Sequence, residues 1–148
     1  YYFENRDELV LAALKYVSLS AGEIIDAHLA QAKDWKASLI MYVEGNFEWI
    51  RRNPAHATIY LLMYYLARLN PAYRKVHADI RQAGADRIEK VLAQREDARG
   101  SQRALAKAIQ ALVTGQIIDA MTTSAKGTLE ERRRETLAAV EALMRGQK

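Results

Sequence analysis

The stretch Asn53-Pro54-Ala55-His56-Ala57-Thr58-Ile59-Tyr60-Leu61-Leu62-Met63-Tyr64-Tyr65-Leu66-Ala67-Arg68-Leu69-Asn70-Pro71 decides the fold. Each proline disfavours helical geometry in the asparagine before it and suits the first turn of a new helix. Pro54 to Leu69 therefore reads as one helix. It is apolar nearly all round, which predicts the most buried helix of the molecule. Its longest apolar run, Thr58 to Leu69, carries Arg68 and falls short of the roughly 20 residues of a membrane span. These are the only two prolines in 148 residues, and glycines number 7. So few turn residues argue against a sandwich or barrel of many short strands. Half the residues are hydrophobic, enough for one all-α domain that buries roughly 70% of its unfolded surface.

Working outward, Asn5 and Glu8 fit a capping box at the start of a first helix that fades near His28 to Lys33. Its apolar stripe is Leu9, Ala13, Tyr16, Ser20 and Ile24. Asp34 caps a second helix with the stripe Leu39, Tyr42, Val43, Phe47 and Ile50, ending at Asn53. Asn70–Pro71 opens a fourth, whose inner face is Val76, Ile80, Ala83, Arg87 by its stem, Ile88, Val91 and Leu92. The charged residues 95–99 and Gly100 close it. Gly84 inside it predicts a close packing partner or a bend. Ser101 caps a fifth helix to about Thr123, and a sixth runs from Leu129 to Met144, after Gly127 and Thr128.

There is no cysteine, which excludes disulfides, thiolate metal sites and a cysteine nucleophile. His28, His56 and His77 form neither Glu-x-x-His nor His-Glu-x-x-His. Glu44 and Glu48 share a face, but Arg52 follows Glu48 by four and favours a surface ion pair over a metal. Ser18, Ser20, Ser38, Ser101 and Ser124 lie in no nucleophile elbow, and no glycine-rich phosphate loop is present. The reading is of a non-enzyme without cofactor or metal. Residues 1–70 hold 7 basic and 8 acidic side chains, and residues 71–148 hold 15 and 10. Pairs such as Asp86/Lys90 and Glu130/Arg134 mark solvated helix faces. No signal peptide or membrane span is read, the lack of cysteine is compatible with a reducing cytosol, and a cytoplasmic protein is expected; the first residue, Tyr rather than Met, reads as part of a longer protein.

Tyr42, Phe47, Trp49, Tyr60, Tyr64, Tyr65 and Tyr73 gather in the second to fourth helices with Met41 and Met63. Ordinary core packing accounts for such residues one at a time. As a group they carry more polar tips than a dry core satisfies, which suits a ligand cavity. Phe47, Tyr60, Met63 and Tyr64 are its candidate wall, and His77 a candidate polar contact, although a surface histidine is the plainer reading. The last two helices are poor in aromatics and rich in alanine. Their wide stripes are Leu105, Ile109, Leu112, Val113, Ile117 and Met121, and Leu137, Val140 and Met144. They read as half of a four-helix bundle completed by a second copy, or as the lid of the chain's own core.

The segment Tyr1-Tyr2-Phe3-Glu4-Asn5-Arg6-Asp7-Glu8-Leu9-Val10-Leu11-Ala12-Ala13 resembles the junction after the recognition helix in TetR-family transcriptional regulators. Phe3, Arg6, Glu8 and Leu9 match that pattern, Tyr2 takes the position of His or Tyr, and Arg6 replaces the more usual Lys. The resemblance implies a six-helix TetR-like regulatory domain over residues 1–148, with 1–9 as the junction to a DNA-reading helix-turn-helix preceding Tyr1. It implies a homodimer through the last two helices and a small, partly apolar effector held among the earlier ones. It also implies contact of Tyr2 and Arg6 with the phosphates of operator DNA. The function expected is a ligand-responsive transcriptional regulator, a repressor in the first instance. A helical-bundle enzyme and a ligand-free structural or adaptor bundle are the alternatives.

Overall fold

The computed structural model describes residues 2–123 and 127–146; Tyr1 and Ser124, named above, lie outside them. Among the described residues the chain forms six α-helices and no strand: α1 (Arg6–Leu29), α2 (Trp35–Arg52), α3 (Pro54–Leu69), α4 (Pro71–Leu92), α5 (Arg103–Thr122) and α6 (Thr128–Arg145). The helix starts follow capping chemistry. Asn5 Oδ1 accepts from the Glu8 amide at 2.9 Å, and Asp34 Oδ1 accepts from the Ala37 amide at 2.8 Å. The Glu8 carboxylate reaches back to the amide of Glu4 at 2.6 Å, one residue before the cap. Asn70 Oδ1 accepts from the Ala72 amide. At α5 the cap position is Gln102, and Ser101 Oγ takes the Arg103 amide at 3.2 Å.

Helix α2 lies at the centre, packed against α1, α3, α4 and α6. Leu39, Tyr42, Val43, Phe47, Trp49 and Ile50 are all buried along it. They join Val17 and Ile25 of α1, Ile88, Val91 and Leu92 of α4, Ile109, Val113 and Ile117 of α5 and Val140 of α6 in one core. Gly45 allows the α1–α2 crossing, because a Cβ there would stand 2.9 Å from the Ile25 backbone. Gly84 has the close partner its position predicts: the Gln110 side chain occupies the space of a Cβ and donates to the Arg81 carbonyl at 2.9 Å. Among the described residues no helix is long and apolar enough to cross a membrane.

Several expectations are corrected. Helix α3 is not the most buried; it leans mainly on α4 and α1, and its third side is uncovered. Leu62, Tyr65 and Leu69 are 45%, 63% and 61% exposed there, while only Ala57, Met63 and Ala67 are buried. Helix α1 turns in the stripe Leu14, Val17 and Ile25, leaving Leu9 and Tyr16 exposed. Apolar residues surround both helices, so periodicity could not choose the inner face. Asp86 pairs with Arg103 of α5 rather than with Lys90. Glu48 holds both Arg51 and Arg52, the surface pairing expected of it.

Of the residues expected at a dimer face, Ile109, Val113, Ile117 and Val140 are 0–6% exposed within the single chain. Their stripe turns into the chain's own core and has no surface to give a second copy. Leu105, Leu112, Met121, Leu137 and Met144 are half-buried at its margins. The outward side of α5 is instead Ala104, Ala108, Ala111 and Gly115, spaced at i, i+4, i+7 and i+11, with exposed Ala138 and Ala142 on α6.

Candidate functional site

Four rings from three helices stack edge to face into a ladder. Trp49 of α2 meets Tyr60 of α3 with ring centres 5.7 Å apart, Tyr60 meets Tyr64 at 5.8 Å, and Tyr64 meets His77 of α4 at 4.8 Å. Residues 60 and 64 share a face because they are one turn apart, as are His77 and Arg81 on α4. The Pro54 and Pro71 starts fix the register of both helices.

The ladder is polar where a core would be dry. Trp49 is 2% exposed, yet among the described residues its Nε1 finds no acceptor. The Tyr64 hydroxyl and His77 Nε2 are likewise buried without a hydrogen-bond partner among the described residues. Such orphans are rare in proteins and each calls for a reason. Burial pushes the Tyr42 hydroxyl up to about 12, against a lowering by Asn46 and by the Arg81 and Arg87 charges. Tyr60 is raised well above the usual tyrosine range, by burial first and then by neighbouring Tyr64. His77 is held below the ordinary histidine value by burial, and by the charge of Arg81. One guanidinium thus acts on groups from α2, α3 and α4.

Tyr60, Tyr64 and His77 are therefore brought together. Met63 is fully buried beside them, in a smaller core with Leu14 of α1 and Tyr73 of α4 that Tyr60 and Tyr64 also touch. Phe47 lies apart, in the main core and on the wall of a cleft of about 630 Å³ with His28, Glu44, Glu48, Arg51 and Arg133. A larger cleft of about 720 Å³ opens between α2 and α6, edged by Trp35, Leu39, Ile40, Leu137 and Met144. Neither cleft is lined by the ladder. Tyr2 is 97% exposed, and Arg6 is exposed at the first residue of α1.

Sequence reasoning did not single out Arg81. Charged residues along a long helix read as solvated, but 73, 77, 81, 84 and 88 run down one face of α4, and Tyr73, Gly84 and Ile88 on it point inward. That spacing was the available signal. Comparison with protein-family models, with curated proteins and with solved structures finds no match to this chain.

Proposed function

We propose that the chain is the effector-binding and dimerisation domain of a TetR-like, cytoplasmic transcriptional repressor that responds to a small, partly apolar molecule. The observation that carries this reading is the tie between the ladder and the start of α1. The Tyr73 hydroxyl donates to Asp7 Oδ1 at 2.9 Å, and Leu14, Met63 and Tyr73 form one core with Tyr60 and Tyr64 packed against it. An effector seated in the ladder displaces α3 and α4, and this contact passes the displacement to the segment that resembles the DNA-reading junction. The response is a population shift, limited by the effector's differential affinity for the two tilts of α1. On a dimer, such a tilt changes the spacing of two reading units that must match half-sites about one helical turn apart. The second copy packs on the outward Ala104, Ala108, Ala111 and Gly115 face, where small side chains allow close approach.

DNA binding by the full-length gene product tests this reading. The expected result is that the coding sequence before Tyr1 encodes a helix-turn-helix and that the purified protein binds an operator as a dimer. Arg6→Ala weakens all DNA sequences alike and flattens the salt dependence by about one unit of slope. Ala111→Glu yields a folded monomer in sedimentation equilibrium. Upstream sequence without a DNA-reading helix, or an Arg6→Ala loss confined to one operator, overturns the reading.

A further inference from the structure

Arg81 is the interior charge that packing leaves unexplained. It is half-buried on α4, and its guanidinium donates to Thr114 Oγ1 of α5 at 2.8 Å. Three other arginines that bridge helices hold carboxylates: Arg87 holds Asp26, Arg103 holds Asp86 and Glu89, and Arg133 holds Glu44 and Glu130, while the exposed Arg74 donates to the Ala67 carbonyl. Among the described residues Arg81 forms no ion pair. A cation drawn out of water without a counter-charge is costly, and the planar guanidinium fork matches a carboxylate.

The neighbouring hydroxyl and imidazole carry no negative charge and can each donate as well as accept. His77 precedes it by one turn; His77 Nε2 has no partner among the described residues, and the Tyr64 hydroxyl, which makes no hydrogen bond of normal geometry, interacts with the Tyr60 hydroxyl. The rest of the ladder offers flat or flexible apolar surface. We infer that this interior binds an organic monocarboxylate, its carboxylate on Arg81, Tyr64 and His77 and its apolar body along Trp49, Tyr60 and Met63. A single unpaired cation matches a single negative charge, which favours a carboxylate over a phosphate dianion. The inference rests on the effector site proposed above and adds the charge and chemical class of its ligand. Since neither open cleft reaches the ladder, entry parts the helices around it, the same movement proposed to reach α1.

The test is isothermal titration calorimetry at neutral pH with 1-naphthoate and decanoate against their methyl esters. At least one acid binds, and its ester is about tenfold weaker or worse, the loss expected when a charge-assisted hydrogen bond is removed. Arg81→Gln weakens the acid by a similar factor and leaves the ester unchanged, Arg81→Lys retains part of the binding, and the exposed Arg68→Gln has no effect. Trp35→Phe leaves Trp49 as the only indole, and 1-naphthoate still changes its fluorescence. Equal affinity for acid and ester, acid binding indifferent to Arg81→Gln, or no acid binding at millimolar concentration overturns the inference. If Arg81→Gln does not fold, the acid–ester contrast and Arg81→Lys decide. Binding abolished by Ile40→Asp but not by Arg81→Gln places the ligand in the α2–α6 cleft and also overturns it. An ester whose binding depends on Tyr64 keeps the effector site and removes the anion. Acid binding that leaves operator affinity unchanged keeps the anion and removes the regulator.

Discussion

Val43, Leu92, Ile109 and Val113 are each 0–1% exposed and present only carbon to their neighbours. A short way along the same bundle, buried Trp49 and half-buried Tyr64 and His77 each bury a polar atom without a hydrogen bond of normal geometry among the described residues. The first group does what a core does: it removes apolar surface from water and asks nothing of direction. The second is a poor core. Each unsatisfied group costs about 1–3 kcal/mol, and apolar rings of similar shape would fill the space without that cost. Arg81 adds to the contrast, since Arg87 and Arg103 bridge helices to carboxylates and Arg81 bridges to a threonine hydroxyl. The aliphatic layer stabilises the bundle, and the ladder contributes less to it than apolar rings of the same shape would.

The comparison breaks first if the aliphatic layer tolerates charge. Val113→Asp introduces a carboxylate at a site 1% exposed with no partner. It should cost more than about 4 kcal/mol and leave the chain unfolded by circular dichroism. Ala108→Asp, on the outward side of the same helix, should keep the monomer folded. A folded Val113→Asp monomer would show that this stripe faces outward after all.

Next in size is Gly45→Ala. The added methyl would stand 2.9 Å from the Ile25 backbone, so α1 and α2 must separate. The expected loss is about 1–3 kcal/mol in urea denaturation. Gly115→Ala is the counterpart, since its Cβ meets nothing within 4 Å and it sits exposed within α5. It should gain up to about 1 kcal/mol in the monomer from helix propensity. Equal effects at the two glycines would remove the close crossing as the reason for Gly45.

Much of the fold was legible because its signals are local. The Asn–Pro pairs and the Asn5 and Asp34 caps each act through the nearest turn of backbone, and the starts of α1 to α4 follow from them. The inner faces of α1 and α3 were not legible. Leu9, Tyr16, Leu62 and Tyr65 are as apolar as the residues that are buried, and only the placement of α2 and α4 decides between them. The α5 and α6 stripes were read as broad, but whether Val113 or Ala111 faces a second copy depends on how many neighbours the chain itself supplies. At the candidate site, Tyr60 and Tyr64 stood out as polar tips on an apolar helix, whereas His77 sits on a charge-rich helix and read more plainly as a surface histidine. Arg81 did not stand out, because the absence of a carboxylate beside it is a property of the packed helices.

A smaller effect separates hydroxyl from ring. Tyr64→Phe keeps the edge-to-face contacts with Tyr60 and His77 and deletes an orphaned hydroxyl. It should leave stability unchanged or raise it by up to about 1 kcal/mol, while weakening acid binding. A loss above about 1 kcal/mol would mean that the hydroxyl is satisfied in the free protein, and the ladder would then be an ordinary core.

The smallest effect is the titration of His77. Burial first, and then the charge of Arg81, favour its neutral form in the folded chain, so its folded pKa lies below the value of about 6.5 in an unfolded one. Between those two values the unfolded chain binds the proton and the folded chain resists it, so stability rises with pH across that window. The contribution is complete above about pH 6.5 and is lost as pH falls toward the folded value. Tyr64 faces the ring from α3, and Arg81 stands one turn along α4. Urea midpoints measured from about pH 8 down to about pH 5 should decline less in His77→Gln than in the unmutated chain. A bound carboxylate reverses the local balance, because it screens Arg81 and welcomes a second cation. Acid probes should therefore bind more tightly as pH falls through this window, and in His77→Gln that increase should vanish. Identical pH profiles for the two proteins, free and bound, would place His77 outside the site and leave Arg81 to hold the anion without it.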